Sequence, residues 1–134
     1  MVLAFIGPSE ERRKALTAAG QPLPPPVSIR ALVDTGASNT CVDPTVLTDL
    51  GLSPTGRTTV LTAGGAPEDR DQYDVWLAIP GSDRTAPPLL IPTIAVIATP
   101  LFDLQGFHAL IGRDILERCL LHYNGSLKTF TLAY

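Results

Sequence analysis

The hydrophobic positions of this chain come in short runs, separated by turns that are rich in proline, glycine and small polar residues. Short apolar or alternating runs bounded in this way are typical of β-strands. Two segments instead carry helix signals: residues 10–19 follow a good N-cap, Ser9, and residues 44–51 follow Asp43 and stop at Gly51. The pattern predicts an all-β fold with one or two short helices and with strands at residues 2–6, 27–33, 40–42, 58–63, 73–80, 89–98, 120–123 and 129–134.

The segments between these elements indicate the domain organisation. Residues 21–26 read Gln-Pro-Leu-Pro-Pro-Pro, which is typical of a stiff, extended connector. We expect a single domain over residues 1–134, in which residues 1–26 supply an amino-terminal strand, a helix and a proline-rich insertion. Near the carboxyl end, Asn124-Gly125 predicts a tight hairpin turn.

A hairpin is also predicted in the middle of the chain. Residues 64–67, Gly-Gly-Ala-Pro, form a turn, and the polar run Glu68–Asp71 follows it before the apolar strand that starts at Tyr73. Taken alone, this pattern indicates an ordinary β-hairpin. Residues 99–108 are predicted to be a loop.

The composition and charge of the chain argue against some classes of binding partner. The chain has 134 residues, of which 45% are hydrophobic and only 17% are charged. The charged fraction is below the usual quarter, which argues against disorder and is compatible with a buried oligomer interface. The net charge of −3 and the lack of a basic cluster argue against nucleic acid and anionic membrane as partners. No run reaches membrane-spanning length and no signal peptide is evident, so a cytoplasmic location is expected.

The two cysteines, Cys41 and Cys119, both lie within apolar patterns. We expect buried, reduced thiols. Neither cysteine has a histidine at metal-ligand spacing, so no metal site is predicted, and no cofactor is expected.

One stretch contains a candidate for a functional carboxylate. An apolar run, Arg30–Val33, leads directly into Asp34-Thr35-Gly36-Ala37-Ser38. A carboxylate at the end of a buried strand costs free energy unless something there requires it. Aspartate, threonine and glycine are also turn formers, and this tripeptide would occur by chance in roughly one chain in twenty of this length. The apolar run before it and the small residues after it favour a carboxylate held rigidly at the floor of a cleft.

A second segment far downstream strengthens this interpretation. Residues 109–116, Ala-Leu-Ile-Gly-Arg-Asp-Ile-Leu, read as an apolar strand, a glycine and the start of a helix. Together, residues 32–38 and 110–114 resemble the retropepsin-like aspartic proteases, the family of the retroviral proteases and their cellular and bacterial relatives. The resemblance covers roughly Val27 to Tyr134. It implies a closed β-barrel or sandwich with a flap hairpin, in a homodimer.

The resemblance also implies site residues. Asp34, Thr35 and Gly36 would be catalytic, with Asp34 from each subunit of the dimer forming a pair that activates a water to hydrolyse a peptide bond. Leu32, Ala37 and Leu110 would wall the groove that binds an extended peptide or protein substrate, and Gly64 and Gly65 would lie at the tip of the flap that closes over it. No metal or cofactor is implied.

Arg113 matches a family arginine that ties the catalytic loop to the dimer through an acidic residue soon after the tripeptide. In this chain Ser38 stands at that position. We therefore expect Arg113 to find another partner, with Asp43, Asp114 and a backbone carbonyl as candidates.

Three other interpretations compete with the endopeptidase. The main rival is a catalytically silent peptide-binding or dimerisation module of the same fold, favoured by Ser38 and by a flap tip without a large apolar residue. A metal-dependent hydrolase would use scattered acids with His108 or His122, but the ligand spacing is missing. The last is an unrelated all-β binding domain in which the tripeptide is a coincidence.

Overall fold

Six strands close into a barrel because each presents its apolar side chains to one common core. The computed structural model describes residues 1–134. The sheet has the strand order β1-β2-β7-β3-β6-β5, and pairing of β1 with β5 closes the ring. The barrel strands are β1 (Val2–Pro8), β2 (Val27–Val33), β3 (Cys41–Val42), β5 (Pro67–Ile79), β6 (Leu89–Ala98) and β7 (Ala109–Ile111).

A seventh strand, β4 (Gly56–Leu61), pairs only with β5 and stands outside the ring. The two strands form a long antiparallel hairpin, with Gly56 opposite Gln72 and Leu61 opposite Pro67. A hairpin is therefore present where the flap was expected, and we call it the flap hairpin; its action as a flap stays a prediction. Its return strand begins at Pro67, six residues before the predicted start, so the polar run Glu68–Asp71 is strand and not loop.

The core of the barrel is apolar and nearly closed to solvent. Seventeen buried residues form one cluster, contributed by the inner faces of the ring strands and by two helices. The largest fully buried side chains include Ile6, Ile29, Leu77, Ile91 and Ile111. Burying side chains of this size is the main stabilising contribution to the fold.

Four helices decorate the barrel: α1 (Glu10–Ala18), α2 (Pro44–Asp49), α3 (Phe102–Gln105) and α4 (Arg113–Leu116). The first two match the predicted helices, including the Ser9 and Asp43 caps. The other two are single turns: α4 begins at Arg113, where the sequence predicts the start of a helix, and α3 was not predicted. The prediction of a loop at residues 99–108 was wrong at α3, which is too short to show a helical period in the sequence.

The insertion between β1 and β2 lies far from the candidate site. It joins the end of β1 to Val27 at the start of β2, whereas Asp34 follows the other end of β2. Helix α1 has no buried residue and is fixed to β6 by a hydrogen bond from the Thr93 hydroxyl to Glu11, at 2.6 Å. The insertion therefore does not cover Asp34.

The chain ends in a separate hairpin, β8 (Leu120–Asn124) and β9 (Thr129–Ala133). Its loop has four residues instead of the tight turn predicted at Asn124-Gly125, and Lys128 takes the positive φ of 53°. The Tyr134 hydroxyl fixes the hairpin to the barrel through the carbonyls of Ile79 and Pro80. Leu120 remains 71% exposed and Tyr123 70% exposed.

Both cysteines are free thiols. They are half-buried, which is less than predicted, and burial raises the pKa of each thiol. No helix is long and apolar enough to cross a membrane.

Candidate active site

Asp34 lies at the end of a parallel strand pair. Strands β2 and β7 run side by side, with Leu32 beside Leu110 and Val33 beside Ile111. The next residue, Asp34, donates its backbone N–H to the Ile111 carbonyl at 3.0 Å. The pairing therefore brings the two sequence segments together and fixes the backbone of Asp34.

The turn after Asp34 holds its carboxylate. The Gly36 N–H donates to Asp34 Oδ1 at 2.8 Å, and the Ala37 N–H donates to the Asp34 carbonyl at 3.3 Å. A Cβ atom at residue 36 would lie 3.1 Å from the same Oδ1, so glycine keeps this oxygen uncrowded. No other hydrogen bond reaches the carboxylate, which leaves Oδ2 free. Thr35 and Gly36 are exposed and Asp34 is half-buried.

Arg113 clamps the turn from the other segment. Its Nη1 donates to the Thr35 carbonyl at 3.0 Å and its Nη2 donates to Ser38 Oγ at 2.8 Å. Its backbone N–H donates to the Ala37 carbonyl at 2.9 Å. Of the partners considered for Arg113, the carbonyl is confirmed, while Asp43 and Asp114 were wrong because both carboxylates are occupied elsewhere. The hydroxyl of Ser38 takes the place of an acidic partner.

The Asp114 carboxylate is hydrogen-bonded to Thr40, a residue that was not singled out from the sequence. The Thr40 backbone N–H and hydroxyl donate to the two Asp114 oxygens at 2.8 and 2.7 Å. The same hydroxyl accepts the Gly112 N–H at 3.1 Å. Thr40 is fully buried. The one signal of its role in the sequence was a polar residue at the start of a predicted apolar strand.

Gly112 is required by close backbone packing. A Cβ atom there would lie 2.6 Å from the carbonyl carbon and oxygen of Asn39. Real Cβ contacts are never this short, so only glycine lets the two segments cross. The crossing places Arg113 against the turn.

Asp43 is a structural carboxylate. It caps α2 through Thr45 and accepts the backbone N–H groups of Leu101 and Phe102, each at 2.8 Å. Burial by itself raises the pKa of Asp43, but these hydrogen bonds outweigh burial and lower it to about 2. The carboxylate thereby joins α2 to the segment before α3.

A cleft of about 380 Å³ separates the turn from the flap hairpin. Its floor is the turn from Gly36 to Asn39 with Cys41 and Ile97, and its other wall is β4 from Thr58 to Leu61. Strand register places Leu32, Leu110, Cys41 and Ile97 in one row across the sheet. Ala37 lines the cleft. Leu32 and Leu110 lie in the same row of the sheet but do not line this cleft, and their role in substrate binding stays a prediction. Cys41 is a lining residue that the sequence did not reveal.

The two flap glycines lie outside this cleft. Gly65, with φ of +78°, donates its N–H to the Thr62 carbonyl in the exposed turn at the hairpin tip, and Gly64 is exposed beside it. The structure thus brings together Asp34, Thr35, Gly36, Ala37, Ser38 and Arg113, with Leu32 and Leu110 alongside. It does not bring Gly64 and Gly65 to them.

A second groove, of about 400 Å³, lies on the other side of Thr35. Six of its seven lining residues are hydrophobic, among them Leu32 and Tyr123. A larger cavity, of about 670 Å³, lies between the terminal hairpin and the Ile79–Ser82 segment, and no acidic residue lines it. The candidate catalytic side chains therefore lie around the Asp34 turn and not at this larger cavity.

Neither histidine contacts the Asp34 turn. Nδ1 of His108 accepts the Arg30 N–H at 3.1 Å, and its ring stacks on Phe102 with centroids 4.6 Å apart. His122 is exposed on β8. No group of three or more histidine, cysteine, aspartate or glutamate side chains is arranged to hold a metal ion.

Comparison with known families agrees with this geometry. A search of curated proteins found no match. The sequence model of a family described as "Aspartyl protease" matches residues 10–115, well over half of the chain. The match begins before Val27, so it includes the segment interpreted as an insertion, and it ends before the terminal hairpin. The residues from Asp34 to Arg113 lie within it, and the chain therefore belongs to the aspartyl protease family, of the retropepsin-like kind.

Proposed function

We propose that this protein is an aspartic endopeptidase that works as a homodimer, with Asp34 of each subunit forming the catalytic pair. The observation that carries the proposal is the turn itself: Asp34 is fixed by backbone pairing, has one free carboxylate oxygen and stands beside exposed Thr35 and Gly36. The sequence has only one Asp-Thr-Gly and no Asp-Ser-Gly. A pair of such carboxylates therefore needs two chains.

Two carboxylates side by side can hydrolyse a peptide bond without a cofactor. Like charges at close range cannot both ionise readily, so the pair holds one proton between them. The ionised carboxylate takes a proton from a bound water as the water attacks the scissile carbonyl. The protonated carboxyl donates its proton to the carbonyl oxygen as the tetrahedral intermediate forms.

The chain's own residues support each part of this reaction. The Gly36 N–H holds one Asp34 oxygen and so orients the free oxygen. Arg113 fixes the turn through Thr35 and Ser38, which limits movement of the carboxylate during proton transfer. The substrate would lie extended between turn and flap, with the Gly36 carbonyl binding its backbone and Leu32, Ala37 and Leu110 contacting its side chains. Gly64 and Gly65 would let the flap tip bend as it closes.

The dimer would form on the face that carries Thr35. The apolar groove beside Thr35 is lined in part by Tyr123 of the terminal hairpin, a side chain that is 70% exposed in the single chain. Burying such a surface is the ordinary source of stability for an obligate dimer. The groove runs up to Thr35, so a partner seated there would bring its own turn close to this one.

A second candidate function is a catalytically silent module that binds peptides or dimerises. Ser38 in place of an acidic partner for Arg113, and a flap tip without a large apolar residue, favour this candidate. It predicts the same dimer and the same groove but no dependence of any reaction on Asp34.

The test compares the wild-type chain with Asp34→Asn on a mixed peptide library from mildly acidic to neutral pH. The proposal expects cleavage by the wild type only, and a specific activity that falls on dilution as the dimer dissociates. Cleavage by both chains would indicate a contaminant or another site. A stable dimer that cuts nothing at any pH would establish the silent module instead.

A further inference from the structure

The flap hairpin carries a charged pair on the face that covers the cleft. Residues directly opposite each other in an antiparallel pair share a face, and Thr58 is opposite Arg70 while Val60 is opposite Glu68. Residues 58–61 all line the cleft, but only Thr58 and Val60 are half-buried, whereas Thr59 and Leu61 are exposed. Arg70 and Glu68 therefore belong to the same, inward face of the hairpin.

On the opposite face of the hairpin, the charged and polar side chains pair with one another. Arg57 and Asp71 form an ion pair at 3.5 Å, and the Thr59 hydroxyl donates to Asp69 at 2.7 Å. The Arg57 side chain is 68% exposed, whereas that of Arg70 is 23% exposed. The two arginines thus sit on the same hairpin with opposite orientations and very different exposure.

Arg70 stands beside the cleft, directly across the hairpin from Thr58, although it is not itself a lining residue in the free chain. Burial raises the pKa of the Cys41 thiol, and among smaller influences Arg70 lowers this pKa while Asp34 raises it. Both charges are therefore within electrostatic range of the same floor residue. In the free chain Arg70 pairs with Glu68, whose side chain is 48% exposed and can turn outward to solvent.

We infer that Arg70 binds an acidic side chain of the peptide held in the cleft, with Glu68 occupying the guanidinium until the peptide arrives. This inference rests on the proposed function, because it names the kind of peptide that the same cleft takes. A half-buried guanidinium is a strong and geometrically specific partner for a carboxylate. Exchange of Glu68 for the peptide carboxylate keeps Arg70 paired throughout, so no buried charge is left alone.

The experiment uses short apolar peptides that differ only by one Glu or one Gln, placed at each position in turn. Cleavage is measured with the wild type, and binding is measured by fluorescence anisotropy with the labelled peptides and Asp34→Asn. At one position we expect the Glu peptide to be favoured about tenfold in kcat/KM and in affinity. Arg70→Gln should remove this preference while leaving the Gln peptide nearly unaffected.

Two further variants separate recognition from a structural role. Glu68→Gln removes the competing carboxylate, so the preference for the Glu peptide should increase, which loss of a structural ion pair would not produce. Arg57→Gln, on the outer face of the same hairpin, should leave the preference unchanged. An equal loss on both peptides with Arg70→Gln, or the same effect with Arg57→Gln, would overturn the inference.

The outcomes also separate this inference from the proposed function. Cleavage without any Glu preference overturns the role of Arg70 and leaves the endopeptidase standing. A Glu preference in binding with no cleavage by the wild type supports the role of Arg70 and overturns the endopeptidase. Absence of both cleavage and binding overturns both.

Discussion

Thr40 donates two hydrogen bonds to Asp114, from its backbone N–H to Oδ2 at 2.8 Å and from its hydroxyl to Oδ1 at 2.7 Å. The two residues are 74 positions apart in the chain. Their contact lies behind the turn that follows Asp34 and joins the strand after this turn to the helix that carries Arg113. The turn is therefore supported from within the barrel as well as from its surface.

Thr40→Val tests this support. Valine keeps the shape of the side chain but leaves the Gly112 N–H without an acceptor and removes one donor from Asp114. We expect a loss of about 2 kcal/mol in the free energy of unfolding, measured by urea denaturation. Thr48→Val, exposed on α2 and without a side-chain hydrogen bond, should change it by less than about 0.5 kcal/mol. Equal effects of the two substitutions would contradict the role of the buried hydroxyl.

Gly112→Ala tests the close crossing of the two segments. The added methyl group would lie 2.6 Å from the Asn39 carbonyl, so backbone must move. We expect destabilisation by about 3 kcal/mol, together with loss of activity because the turn is displaced. Gly56→Ala is the matched control, since nothing lies within 4 Å of a Cβ atom there. A Gly112→Ala protein with wild-type stability would show that the crossing is loose.

Arg113→Lys tests the clamp on the turn. Lysine keeps the positive charge but lacks the planar fork that reaches Thr35 and Ser38 together. We expect kcat/KM to fall by about a hundredfold while the unfolding free energy changes by only about 1 kcal/mol. Arg118→Lys, exposed beyond the same helix, should be neutral in both measurements. Unchanged kinetics in Arg113→Lys would mean that the turn keeps its geometry without the hydrogen bonds from Arg113.

The lowered pKa of Asp43 predicts that the free energy of unfolding decreases at acidic pH. Its folded-state pKa of about 2 lies below the ordinary value of 3.8, so the unfolded chain takes up the proton first as the pH falls. The resulting stabilisation, about 2 kcal/mol, is complete above about pH 5 and is lost as the pH falls towards 2. Urea midpoints measured across this range should show the loss.

Asp43→Asn should flatten this part of the pH profile. It should also lower stability at neutral pH, because the amide nitrogen cannot accept a hydrogen bond and so leaves either Thr45 or the N–H groups of Leu101 and Phe102 without an acceptor. Asp49→Asn, exposed on the same helix, serves as the control. A profile with the same slope in Asp43→Asn and the wild type would assign the acid sensitivity to other carboxyl groups.

The proposed dimer predicts a distinctive effect for Tyr123→Ser. Tyr123 is 70% exposed in the single chain and lines the groove beside Thr35. Its loss should therefore leave the folded single chain intact but raise the dimer dissociation constant at least about tenfold, as measured by sedimentation. Leu104→Ser, at an equally exposed position on α3, should have no effect on association. A wild-type chain that remains monomeric at every concentration would refute the dimer.

Local signals predicted the elements that depend on few neighbours. Ser9 and Asp43 cap their helices through bonds within three residues, and Gly51 ends α2 with a positive φ of 67°. The strand leading to Asp34 was predicted with its bounds, because its apolar run faces one core. The barrel was expected from the resemblance and is confirmed.

The features that were missed depend on residues far apart in the chain. The polar run Glu68–Asp71 looks like a loop, yet it is a strand because Arg57 and Thr59 across the hairpin satisfy its outward acids. The partners of Arg113 lie 75 and 78 positions away, which no local pattern reveals. Cys41 becomes part of the cleft only when the hairpin of β4 and β5 folds over the floor.

The parallel pairing of β2 with β7 has a consequence for synthesis of the chain. Asp34 is made early, but the backbone group that fixes it, the Ile111 carbonyl, and the arginine that clamps its turn come almost eighty residues later. Folds dominated by such distant pairings form slowly, because the long loop must close before its contacts can stabilise it. An unfinished chain on the ribosome therefore carries Asp34 without its supports, so the Asp34 turn reaches its final geometry only when nearly the whole chain has emerged.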